Sequence, residues 1–286
     1  MADGPRLRIG EFSRRVGVSP ELLRAWETRY GLLRPERTGG GLRLFTEDDE
    51  RRVRSMLGHL ADGMPASEAA RLAMLDGRPS THERTADLDE IASALSEGVD
   101  ALDEPMTQAA LDRLLATYAL PLALSEVILP FLHRLGERWA AAEVSVAYEH
   151  FASNVIGGRL RALARGWGTG VGPLAVLACQ PGERHDLGLL CFGLALRERG
   201  WRITYLGADT PLRDIAAICG ELAPAIVVLS SVSRHRFRKA GDELIALGKR
   251  ARVAIGGAGA TPALARQLGV ELLAGDAVAE AAALVP

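Results

Sequence analysis

Apolar positions along the chain follow two rhythms. From about residue 87 to residue 165 they recur at three- and four-residue steps, as in Leu111, Leu114, Leu115 and Tyr118, and again through the Val127–Leu135 stretch. That spacing lines one face of a helix. Four helices fit the span, with Pro105, Pro121 and Pro130 at starts or kinks, because proline lacks the amide hydrogen that a helix interior uses. After Gly166-Trp167-Gly168-Thr169-Gly170 the rhythm changes. Short apolar runs (Leu174–Cys179, Ile203–Leu206, Ala225–Leu229, Val253–Ile255 and Glu271–Leu273) now alternate with helical patterns. Such alternation predicts a doubly wound parallel sheet with helices on both faces.

The start of the chain has a third character. Ile9 to Pro20 reads as helix, tight turn, helix: Gly17 supplies the turn, Ser19 caps the second helix and Pro20 suits its first position. On that second helix Leu22, Leu23 and Trp26 are expected to pack inward and Arg24 to point out. Residues 37–46, Arg-Thr-Gly-Gly-Gly-Leu-Arg-Leu-Phe-Thr, read as a Gly-tipped hairpin. Asp76-Gly77-Arg78-Pro79-Ser80-Thr81 has no periodicity and two breakers, which marks a linker. The expected organisation is a small helix-turn-helix module over 1–75, a linker over 76–86, a four-helix bundle over 87–168 and an α/β domain over 169–286.

Charge sharpens this picture. The 286 residues carry a net charge of −2, which excludes a basic polyelectrolyte as a whole. Residues 1–45, however, hold nine arginines against five acids, so nucleic-acid contact has a local basic patch to use. Arg14, Arg15, Arg24, Tyr30 and Arg43 are the candidate contacts, since a two-helix unit with a basic face enters a major groove and a flanking hairpin grips phosphates. With 48% hydrophobic residues, the chain is not a disordered one. It contains no apolar run long enough for a membrane span and no apolar signal segment after Met1-Ala2-Asp3-Gly4-Pro5-Arg6, so a cytoplasmic location is expected. Cys179, Cys191 and Cys219 have no metal-ligand spacing and read as reduced thiols.

The chemistry concentrates where strands end. Gln180-Pro181-Gly182-Glu183-Arg184-His185-Asp186-Leu187-Gly188 follows the first predicted strand directly, on the sheet edge where open α/β folds bind ligands. His185 is a candidate metal ligand, and Glu183 or Asp186 a carboxylate that orients it. Ser230-Ser231-Val232-Ser233 ends the third strand and Gly256-Gly257-Ala258-Gly259 the fourth; small residues at both places let a bulky planar ligand approach the backbone. In the bundle, Trp139 precedes the Glu149-His150 pair by ten residues.

These motifs resemble known families. Ile9-Gly10-Glu11, Gly17-Val18-Ser19, Arg24-Ala25-Trp26-Glu27, Arg29-Tyr30-Gly31-Leu32, Pro35, Arg43 and Phe45-Thr46 resemble the winged helix-turn-helix domain of MerR-family transcription regulators. The resemblance implies double-stranded operator DNA as partner and a homo-oligomer, dimer or tetramer. Glu183-x-His185-x-x-Gly188, Ser231-Val232-Ser233 and Gly256-Gly257 resemble the Asp-x-His-x-x-Gly, Ser-x-Leu and Gly-Gly signature of Rossmann-like cobalamin-binding domains, with Glu for Asp and Ser for Leu. It implies His185 as the lower cobalt ligand, with Ser231 and the glycines lining a slot for the nucleotide tail. Trp139, Glu149 and His150 then resemble the upper-face cap of the CarH and LitR group of photoreceptor repressors. That likeness implies adenosylcobalamin as cofactor, light as signal, and release of DNA on photolysis; no enzyme activity is expected. Ala140 stands where the group commonly has a cobalt-ligating His. The illuminated upper ligand is then water, His150 or His133. Three other readings stay open: a light-independent cobalamin sensor, a regulator with a second tetrapyrrole (a bilin) in the space beside Ala140, and a corrinoid methyl carrier.

Overall fold

A computed structural model describes residues 6–37, 42–76 and 81–285, and the chain divides into two compact units, 1–87 and 88–286. In the first, α1 (Ile9–Val16) and α2 (Pro20–Tyr30) flank Gly17, whose φ of 71° is the left-handed turn conformation open to glycine. The Ser19 hydroxyl accepts the Leu22 amide at 3.3 Å, as an N-cap should. Strands β1 (Glu36–Arg37) and β2 (Arg43–Leu44) pair antiparallel, Glu36 opposite Leu44 and Arg37 opposite Arg43, and Leu7 bridges Phe45 beside them. The Gly39–Gly41 tip of the expected hairpin lies outside the described residues. Helices α3 (Glu47–Ala61) and α4 (Ala66–Asp76) complete the unit.

Its core gathers Phe12, Leu23, Trp26, Leu32, Val53 and Met56, with Phe12 stacked on Phe45 at 4.7 Å between ring centres. Leu23 and Trp26 pack inward as expected, but Leu22 is exposed. One residue is about 100° of helix, so Leu22 leaves the face that Leu23 and Trp26 share. Thr46 and Asp49 form a reciprocal capping box on α3. Asp49 is fully buried and also binds the Arg34 amide (2.8 Å) and Arg52 (2.7 Å), which compensates its lost hydration.

Helix α5 (Thr81–Asp100) runs across the boundary at 87/88, and the second unit continues with α6 (Glu104–Thr117), α7 (Leu120–Ala123), a π turn (Leu124–Ile128), α8 (Leu129–Ala140) and α9 (Val146–Leu163). Because α7, the π turn and α8 run on without a break, these make four rods. Pro105 and Pro121 each sit in the first turn of a helix, where the missing amide costs nothing, whereas Pro130 directly follows the π turn inside the third rod. Helix α5 starts inside the stretch expected as linker; the breakers Gly77 and Pro79 lie outside the described residues.

Five parallel strands follow, alternating with helices: β3 (Leu174–Cys179), α10 (Leu187–Glu198), β4 (Arg202–Gly207), α11 (Leu212–Leu222), β5 (Ile226–Ser230), α12 (Arg234–Lys239), α13 (Gly241–Gly248), β6 (Val253–Gly256), α14 (Pro262–Leu268), β7 (Glu271–Leu272) and α15 (Ala277–Ala283). Their order is β4-β3-β5-β6-β7. The chain steps one way from β3 to β4 and the other way from β5 onward, so the topological switch point lies between β3 and β5. Strand β3 is buried along its whole length. Ala175, Leu177 and Cys179 join a core with α10 and with bundle residues such as Leu95, Phe131 and Ile156, while Val176 and Ala178 join the opposite core with Ile215, Leu244 and Leu264. Bundle and sheet therefore share one core. Gly157 lets α9 approach α10: a Cβ there would stand 3.0 Å from Leu187 Cδ2.

Candidate functional site

Loops leaving adjacent strands at a switch point diverge to opposite faces and open a crevice. Here they are the loop 180–186 after β3 and the turn 231–233 after β5. The first is latched by its neighbours: the Gly182 amide donates to Asp209 Oδ1 at 2.5 Å, and the Asp209 amide to the Glu183 carbonyl at 2.8 Å. Glu183 turns inward and is fully buried. Its Oε1 receives the His185 amide (3.0 Å) and faces His185 Nδ1 (2.6 Å). Its Oε2 accepts Ser231 Oγ (2.8 Å), the Val232 amide (2.9 Å) and Arg236 Nη1 (3.0 Å).

Burial by itself would raise the Glu183 pKa, but the bonds from His185, Ser231 and Val232 outweigh it and bring the carboxyl down to about 2. The ionised carboxylate can only accept, so Nδ1 keeps its proton and donates it in the hydrogen bond, and Nε2 is the nitrogen left for a ligand. The imidazole is 58% exposed. Of the two carboxylates offered by the sequence, Glu183 therefore orients His185. Asp186 instead receives Arg161 of α9 (2.8 Å) and the Tyr205 hydroxyl (3.1 Å). Burial and then Asp186 push the Tyr205 phenol up, so it donates as a neutral group.

The remaining signature residues divide. Gly188, in the first turn of α10, is exposed, and a Cβ there would meet nothing within 4 Å. Ser231 is fully buried, and its hydroxyl is set against Glu183 (2.8 Å) and the Ser233 carbonyl (3.3 Å). Ser233 returns its amide to Ser231 Oγ at 3.0 Å. Gly257 has φ 86°, and a Cβ would fall 2.7 Å from the Ser231 carbonyl oxygen. Gly256 shows only ordinary contact with Leu273, whereas Gly259, which the signature omits, packs its α-carbon against the Ser233 backbone. Gly257 also lines a cavity of about 700 Å³ between the sheet edge and the bundle, together with Ala258, Leu273, Asp276, Ser125 and His133. The π turn places Ser125 there, a feature with no signal in the periodicity.

On the bundle, Trp139 is 49% exposed, so it is not the core residue that helical spacing alone would make it. Glu149 binds Ser153 (2.7 Å) and lies 3.6 Å from His150 Nε2. His150, Ala140 and His133 are exposed, and His133 pairs with Glu137 at 3.3 Å.

In the first unit Arg14 and Arg24 are exposed and have no ion pair among the described residues. Arg15 pairs with Glu50 (2.6 Å) and Arg43 with Glu27 (3.2 Å). Arg29 sits over the Tyr30 ring at 5.7 Å. No helix among the described residues is long and apolar enough to cross a membrane.

These features fit a corrinoid. An exposed imidazole held through one nitrogen, an open Gly188 three residues on, and a cavity between sheet edge and bundle suit a bulky ring. The comparisons agree. The family model "MerR HTH family regulatory protein" matches residues 7–74, and two "B12 binding domain" models match residues 91–164 and 173–285. The HTH-type transcriptional repressor CarH of Myxococcus xanthus is 33% identical over 284 residues, covering 94% of this chain and 95% of that protein. CarA of the same organism, also an HTH-type transcriptional repressor, is 32% identical over 260 residues, covering 89% and 87%. Among solved structures, the monomethylamine corrinoid protein of Methanosarcina barkeri matches with a TM-score of 0.57 and 17% identity, over 68% of this chain and 96% of that one, a likeness of fold. Domain content and near full-length similarity together place this chain in the CarH-like family of MerR regulators with a cobalamin-binding domain.

Proposed function

We propose that this protein is a cobalamin-dependent transcription repressor that acts in the cytoplasm, holds operator DNA as a dimer or tetramer in the dark and releases it in light. The observation that carries the reading is the Glu183–His185 pair at the switch point: an exposed imidazole held through Nδ1, with Nε2 left over, is a lower metal ligand in waiting. Adenosylcobalamin, when bound, supplies a cobalt–carbon bond that light breaks. His185 holds the lower face; Trp139, Glu149 and His150 cover the upper face; Gly188 gives clearance, and Gly257 lines the cavity and packs against the Ser231 backbone, with Asp186, Ser231, Ser233 and Gly256 shaping the loops around them. Arg14, Arg15, Arg24, Tyr30 and Arg43 contact DNA. Linked DNA-binding units in one assembly hold an operator by avidity, so control of assembly is control of repression.

The test is an absorption spectrum of the protein with adenosylcobalamin in the dark and after green light, with sizing chromatography and operator binding on both samples. A light-driven spectral change that accompanies a smaller assembly and weaker DNA binding is expected, and H185A should lose the protein-bound spectrum. Binding with no light-linked change in size would refute the photoreceptor part and favour the light-independent sensor.

A second reading concerns the upper ligand. A methyl group cannot ligate a metal, so Ala140 offers none. His133 lines the cavity with Gly257 and Asp276, whereas His150 lies beside Glu149. We assign His133 as the imidazole that serves after illumination. An illuminated spectrum unchanged by H133A would point to water instead, and absorption bands beyond those of cobalamin would point to a second tetrapyrrole.

A further inference from the structure

Glu183 receives five hydrogen bonds from three segments: its own loop, the turn after β5, and α12. A carboxylate offers about four lone-pair sites, so this set leaves it no rotational freedom. Four of the donors belong to backbone amides, a hydroxyl and the imidazole itself. Arg236 is the one permanent cation among them, and a guanidinium keeps its charge at any working pH. Its side chain is 34% exposed, and Nε packs over Gly182, 3.5 Å from where a Cβ would stand. The next residue, Phe237, is fully buried and anchors the helix. Arg234, His235, Arg238 and Lys239 of the same short helix are all exposed. Arg236 is thus singled out from a basic run and aimed at the one buried carboxylate beneath His185.

We propose that Arg236 is a positioning residue for the His185 imidazole. By holding Oε2 it fixes Oε1 against Nδ1, which keeps the proton on Nδ1 and leaves Nε2 bare. The ligating role of that nitrogen rests on the cobalamin reading, but its tautomer is a property of the protein alone. Glu in place of Asp gives the carboxylate the extra methylene with which to span from His185 to α12.

Two measurements test this. In cobalamin-free protein carrying ¹⁵N-labelled histidine, wild type is expected to show His185 protonated on Nδ1 only. R236M is expected to mix the two tautomers and to weaken adenosylcobalamin binding in the dark by about 10–100-fold, the usual cost of losing a residue that orients a metal ligand. R236K, which retains the cation on a different geometry, should recover part of both, and R238M should change neither. Should R236M not fold, R236K against R238M carries the same comparison. A folded variant at 236 with an unmixed tautomer and wild-type affinity overturns the role. A wild type that binds no cobalamin, but whose tautomer responds to Arg236, would remove the cobalamin reading and leave the positioning role standing.

Discussion

Two glycines of the site do different work, and alanine separates them. At Gly257 the φ of 86° is a conformation that costs a residue with a Cβ about 1–2 kcal/mol, and the Cβ would also press the Ser231 carbonyl at 2.7 Å. G257A is therefore expected to destabilise the protein by about 1–3 kcal/mol, read as a lower melting temperature without any ligand. At Gly188 a Cβ meets nothing within 4 Å, and alanine is the better helix former by about 1 kcal/mol. G188A is expected to melt at or above the wild-type temperature yet bind adenosylcobalamin more weakly, because the added methyl enters the space the ring needs. A G188A protein with undiminished affinity would move the ring away from that turn. Asp186 teaches a related lesson: it adjoins His185 in the chain, yet its carboxylate is committed to Arg161 and Tyr205.

Helices α1 and α2 and strand β2 carry arginines of two kinds. Arg14 and Arg24 are exposed with no ion pair among the described residues, while Arg15 and Arg43 already hold Glu50 and Glu27. Exposed pairs of this sort contribute about 0–1 kcal/mol, so they yield to phosphate at a small cost. Each phosphate contact releases counterions and steepens the salt dependence of binding. R14A and R24A are each expected to weaken operator binding across all sequences and to lower the slope of log affinity against log salt by about one. R15A and R43A should have the smaller effect. Measured slopes unchanged by R14A and R24A together would place the DNA elsewhere. In the bundle, the π turn at Leu124–Ile128 shifts the helix register by one residue and brings Ser125 to the cavity.

Both sheet faces hold thiols that report on the fold as one body. Cys179 and Cys191 lie in the core shared by bundle and sheet, and Cys219 lies in the opposite core. Burial first, and then nearby carboxylates, push Cys179 and Cys191 from 9.0 up to about 12. The native state keeps these protons over a range where the unfolded chain releases them, so stability is expected to fall as pH rises from about 9 to 12. At mildly alkaline pH the same thiols should react with iodoacetamide only as fast as the fold opens. Alkylation at the rate of a free thiol in the native protein would contradict that packing. The shared core also has a functional consequence: the helices that carry Trp139, Glu149 and His150 and the loop that carries His185 sit in one compact unit, joined through Arg161 and Asp186.

Much of this was readable before any coordinates. Strand β3 matches its apolar run residue for residue, the other strands differ by a residue or so at their ends, and Pro105 and Pro121 sit at helix starts, because these features depend on neighbours in the chain: periodicity, caps and breakers. The Glu183, His185, Ser231 and Gly257 motifs were likewise visible as spacings, and so was the family they resemble. What folding alone settled are relations between distant residues. Which carboxylate faces the imidazole, that Ser231 bonds Glu183, that Arg236 closes the set from 53 residues away, that Trp139 is exposed, and that bundle and sheet share one core all depend on tertiary packing. A linear pattern records which face of its own element a side chain takes, but the partner on that face is chosen by packing.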